Sequence, residues 1–80
     1  MKENIIQQKS YLFAIKIIEL YKHLIGTKKE FVLSRQLLRS GTSIGANIEE
    51  ALGGQSKKDF ISKISIAYKE ARETKYWLSL

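Results

Sequence analysis

Apolar residues recur along this chain at three- and four-residue spacing, the period of helices that bury one side. From Tyr11 to Ile25, the positions Ala14, Ile18, Tyr21 and Ile25 share a face, with Phe13, Ile17, Leu20 and Leu24 on one flank and Tyr11 and Ile15 on the other. Only Lys16, Glu19, Lys22 and His23 form a clear polar strip, so this helix is expected to be covered on more than one side. In the second segment Leu33, Leu37, Ile44, Ile48 and Ala51 line up. In the third, Phe60, Ile64, Ala67, Ala71 and Leu78 do so, with Ile61 and Tyr68 beside them.

Cap signals set the expected boundaries. Thr27-Lys28-Lys29-Glu30-Phe31 and Ser56-Lys57-Lys58-Asp59-Phe60 each place a carboxylate three residues after a hydroxyl and just before an apolar residue, the arrangement that satisfies free amides at a helix start. Ser10 is a weaker candidate cap for the first helix. Gly26 and Gly53-Gly54 precede the two stronger signals and suit left-handed helix ends. The pattern predicts an all-α fold, an up-down antiparallel helical bundle with helices over 11–25, 28–52 and 57–79 joined by short turns. Gly41 and Gly45 inside the second helix each cost roughly 1 kcal/mol against alanine. Either a neighbouring backbone comes close there or the helix breaks near Gly41. Asn47, at the edge of the apolar face, is expected to hydrogen-bond across helices.

Eighty residues make one small domain, and such a domain hides only about 60% of the surface its unfolded chain exposes. With no cysteine and no metal-ligand spacing, oligomerisation is the stabilising device left. Asn4, Gln7, Gln8 and Lys9 interrupt any secretory apolar core, and Lys16 and Glu19 break the longest apolar stretch, which points to a cytoplasmic protein without a membrane span. No Ser-His-Asp or Cys-His set, glycine-rich phosphate loop or His/carboxylate cluster can be assembled, so neither an enzyme nor a cofactor or metal site is expected.

The formal net charge is +6, which suits phosphate binding as well as plain solubility. Arg35 and Arg39 start the outer face of the second helix, and Glu49 and Glu50 end it. That polarity opposes the helix dipole, so local stability does not account for it. The arginines would meet phosphate, or the glutamates of a neighbouring subunit. On the third helix Lys58, Lys69 and Arg72 share a strip with Tyr76, a phosphate-and-stacking surface. Ile66 and Trp77, rimmed by Asp59, Lys63, Glu70 and Glu73, look like a protein contact.

The order Gln36-Leu37 with Arg39, Ser43-Ile44, Ala46-Asn47-Ile48-Glu49, Ser56, Phe60, Ile66-Ala67, Lys69-Glu70-Ala71, Glu73-Thr74 and Tyr76-Trp77-Leu78 resembles the bacterial four-helix-bundle family first noticed as proteins encoded by intervening sequences in 23S ribosomal RNA genes. The resemblance implies a fourth helix, which is missing here, so a C-terminal truncation is expected. It also implies a homo-oligomer, ring-like and pentameric. A related group, the accessory proteins of diversity-generating retroelements, works with a reverse transcriptase and nucleic acid. Two readings follow. One is a non-enzymatic, oligomeric bundle that binds RNA or DNA through Arg35, Arg39, Lys58, Lys69 and Arg72, with Glu49, Glu50, Ile66 and Trp77 at the subunit interface. The other is an oligomeric protein-interaction scaffold with no nucleic-acid role.

Overall fold

The structure is a computed structural model and describes residues 4–80. Among the described residues three helices form: α1 (Ile5–Gly26), α2 (Leu33–Leu52) and α3 (Lys57–Ser79). Both α1 and α3 pack on α2, and their backbones do not approach each other. Contacts run in opposite register on each side of α2. Ile17 lies against Gly41 while Ser10 lies against Gly45, and Thr74 meets Ser40 while Lys63 meets Glu50. Successive helices are therefore antiparallel, as the short connections require.

The α3 start follows its cap signal. Ser56 is extended, and its hydroxyl accepts from the Asp59 amide at 3.0 Å. The other two starts differ from expectation. α1 begins at Ile5 rather than 11, because the Asn4 side chain accepts from the Gln7 amide at 2.9 Å. Ser10 is then an interior, buried residue whose hydroxyl donates to the Gln7 carbonyl. α2 begins at Leu33 rather than 28. Thr27 closes α1, and Lys29 turns the chain with φ of 56°, whereas none of the glycines has positive φ. The Glu30 carboxylate then accepts from the amides of Val32, Leu33 and Ser34 at 2.7–3.1 Å. A carboxylate taking three amides outcompetes a single hydroxyl, so the acidic member of the expected box is itself the cap. Those amide bonds hold its carboxyl below the usual carboxylate range.

α2 runs unbroken through Gly41 and Gly45, whose missing side chains admit α1. A Cβ at Gly41 would lie 2.8 Å from Ile17 Cγ1, and one at Gly45 would lie 3.4 Å from the Ser10 carbonyl oxygen. The core is small: Ile17, Leu37, Ile48, Ala51 and Ala67 are its buried apolar residues. In α1 the covered face centres on Ser10 and Ile17, and Ile18 is exposed. α3 is also rotated from its expected setting. Ala67, Glu70 and Thr74 face α2, while Phe60, Ile61, Tyr68 and Leu78 are exposed. Polar contacts set that rotation. Thr74 Oγ1 lies 2.9 Å from Ser40 Oγ and donates to the Glu70 carbonyl at 2.7 Å. Asn47 donates to the Ser43 carbonyl of its own helix rather than across to a neighbour.

Candidate nucleic-acid interface

Rotating Ala67, Glu70 and Thr74 onto α2 turns the opposite side of α3 fully to solvent. At 100° per residue, Lys75, Tyr68, Ile61, Arg72, Lys58, Tyr76 and Lys69 fall within roughly 120° of the helix circumference. All seven are exposed, and the three α3 carboxylates, Asp59, Glu70 and Glu73, lie outside this arc. Lys69, at its edge, is one turn from Glu73 and contributes to lowering that carboxyl. Among the described residues Lys58, Lys69, Arg72 and Lys75 make no ion pair within 4 Å. Tyr68, Arg72 and Tyr76 follow one another at one-turn intervals. The Arg72 guanidinium lies over the Tyr68 ring at 5.9 Å from its centroid. Together with Lys75 and Ser79 these side chains line a cleft of about 430 Å³.

Arg39 is engaged differently. Its Nη1 donates to Glu70 Oε2 at 3.1 Å, and its Nη2 donates to Glu73, whose carboxylate also accepts from the Trp77 indole at 2.9 Å. The bond to Glu73 and the field of Glu70 hold the guanidinium more firmly protonated than usual. The indole, and after it Arg39, holds the Glu73 carboxyl below the usual range. Glu70 is 9% exposed, so this network ties α2 to α3 at a place where burying a lone charge would be costly. Arg39 thus meets two carboxylates of its own chain.

The remaining sequence candidates are spread over the molecule. Arg35 is exposed on the outer face of α2, away from the α3 arc, with no carboxylate within 4 Å among the described residues. Glu49 accepts from the Gln7 side chain, and Glu50 pairs with Lys63 at 2.7 Å. Ile66 and Trp77 are half-buried on the flank nearest Glu73. The structure therefore gathers Lys58, Lys69 and Arg72 on one face and leaves Arg35 and Arg39 apart from them. It adds Tyr68 and Lys75, which the periodicity had placed beside the core or not singled out. The signal for both was in the chain: Tyr68, Arg72 and Tyr76 at four-residue steps, with Lys75 between.

An apolar groove opens between α1 and α3. Ile44 and Ile48 form its floor, Ile6 and Phe13 one wall, Ala71 and Leu78 the other, around about 550 Å³. Among the described residues no three His, Cys, Asp or Glu side chains come together as a metal set, and no helix is long and apolar enough to cross a membrane.

Fold and register define an all-α helical bundle whose central helix is flanked on both sides. The chain belongs to the 23S rRNA-intervening sequence protein family, whose model matches residues 2–80. It is also similar to a crystal structure of a protein of unknown function from the S23 ribosomal protein family of Bacteroides thetaiotaomicron VPI-5482. The TM-score is 0.94 at 59% sequence identity, over 99% of this chain and 70% of that one. No curated protein matches it.

Proposed function

We propose that this bundle acts by binding nucleic acid, RNA or DNA, on the outer face of α3 rather than by catalysis, and that it does so as an oligomer. The observation that carries the reading is the unpaired state of Lys58, Lys69, Arg72 and Lys75 on an arc free of carboxylates. Between α2 and α3, by contrast, Arg39 is neutralised by Glu70 and Glu73, and Lys63 by Glu50. Cations held together without counter-charge repel one another, and a phosphate backbone relieves that repulsion while releasing its own counterions. Arg39 leaves the site for its role between helices, and Arg35 contributes at most from a separate face. Association is supported by the apolar side chains left in solvent, among them Ile6, Leu12, Tyr11 and Leu78.

The test is a salt titration of binding to a structured RNA and to duplex DNA. Affinity should fall with salt by about 0.7–0.9 in log–log slope for each phosphate neutralised. Replacing Lys69 and Arg72 together by Gln should reduce the slope by about one to two units with helicity and particle mass unchanged. Absence of binding at low salt, or binding that ignores the double substitution, favours the scaffold reading. Sedimentation that returns a clean 9.2 kDa monomer would remove the oligomer from the proposal.

A further inference from the structure

Charge alone does not account for the α3 face, because two of its exposed side chains are aromatic. Tyr68 and Tyr76 are 63% and 58% exposed, although α3 has a half-covered apolar side on which such rings could pack. They stand eight residues apart, about 12 Å along the helix, with Arg72 midway. Neither ring is idle in its setting. The Arg72 guanidinium lies over Tyr68, and its Nη1 is 3.4 Å from the Tyr68 hydroxyl. Tyr76 sits edge-on to Trp77, with centroids 5.2 Å apart. Trp77 is itself anchored through its indole to Glu73, and Glu73 to Arg39. The network between α2 and α3 thereby reaches the exposed Tyr76 ring through Trp77.

Resting on the nucleic-acid reading above, we infer that the Tyr68–Arg72–Tyr76 cleft takes unpaired bases of a single-stranded polynucleotide, RNA or DNA, with Lys69, Arg72 and Lys75 on the flanking phosphates. A duplex keeps its base faces stacked inside and offers a helix face only phosphates and groove edges, which leave the faces of exposed tyrosine rings without a stacking partner. A single strand offers free π-faces. Tyrosine rings and a guanidinium plane both stack on them without regard to sequence. The cleft of about 430 Å³ is open to solvent, which suits a strand running past rather than a ligand enclosed. An acidic, aromatic protein segment is the competing occupant.

The experiment is fluorescence anisotropy with labelled oligo-U, oligo-dT and a hairpin duplex carrying equal numbers of phosphates, each at several salt concentrations. The variants are Tyr68→Leu, Tyr76→Leu, their double, and Lys69→Gln with Arg72→Gln. Each tyrosine replacement should lower affinity for the single strands by roughly 5- to 140-fold, the range that about 1–3 kcal/mol of stacking per base converts to. The salt slope should stay unchanged, since no charge is removed, and duplex affinity should be spared. Loss on either oligomer supports the inference, and the difference between them names the sugar. Equal losses on single strand and duplex, or no loss at all, overturn the stacking site while the Lys69/Arg72 result still decides the basic-face reading. If the double tyrosine variant loses helicity, Trp77 emission in the unaltered protein carries the test instead. It should change with oligo-U or oligo-dT and not with the hairpin, and an unchanged signal with saturating single strand overturns the inference.

Discussion

Gly41 is where the packing makes its sharpest demand on a single residue. An added Cβ would stand 2.8 and 2.9 Å from Ile17 Cγ1 and Cγ2 and 3.3 Å from its Cβ. These atoms belong to the root of a β-branched side chain that is 3% exposed, so it has no free rotamer in which to swing away. Gly41→Ala therefore sets an overpacking cost of about 1–3 kcal/mol against the roughly 1 kcal/mol that alanine contributes as a better helix former. The net should be a loss of up to about 2 kcal/mol, and for a domain this size each kcal/mol moves Tm by roughly 4–8 °C. Gly45→Ala is the internal control. Its Cβ would meet the Ser10 carbonyl oxygen at 3.4 Å and Ser10 Oγ at 3.5 Å, close to ordinary contact. The propensity gain should then dominate, raising stability by about 0.5–1 kcal/mol. Thermal unfolding followed by far-UV circular dichroism, at one fixed protein concentration because association shifts Tm, measures both. Ile17→Leu moves the branch away from Cβ, so a double-mutant cycle with Gly41→Ala should show favourable coupling of at least about 0.5 kcal/mol. If Gly41→Ala stabilises as much as Gly45→Ala, the close approach of α1 to α2 is not what the glycine serves.

Two further substitutions test the ionic contacts. Arg39→Ala leaves Glu70 largely buried without its cation. The loss should be about 1–2 kcal/mol, below the range for fully buried pairs because Arg39 is half-exposed, and oligomer mass should not change. An altered mass with unaltered Tm would place Arg39 at an interface instead. Glu30 and Glu73 both have lowered carboxyl pKa values, so their contribution is complete above the ordinary carboxylate range and is lost as pH falls through the lowered values. Tm should drop on acidification, and Glu30→Gln should lower Tm at neutral pH while flattening that acid dependence. A Glu30→Gln profile parallel to the original would show that the cap does not carry the linkage.

Much of the architecture is local and was readable as such. The Ser56 cap and the α3 start depend on contacts three residues apart, and the basic strip of Lys58, Lys69 and Arg72 depends only on helical period. The small residues of α2 announced a close neighbour, though not that Ile17 and Ser10 would be the residues received there. What the tertiary structure alone decided was which carboxylate meets which amide or cation, and how far each helix is turned about its axis. Glu30 displaced Thr27 as the α2 cap because a charged group accepting three amides is the stronger partner. α3 settled with Glu70 and Thr74 inward because Arg39 and Ser40 were waiting on α2. That rotation drew Arg39 out of the candidate site, left the apolar groove beside Leu78, and turned the Tyr68–Arg72 pair to solvent. A helical wheel fixes angles within one helix, and the setting of α3 against α2 is fixed by partners such as Arg39–Glu70 and Ser40–Thr74, 31 and 34 residues apart.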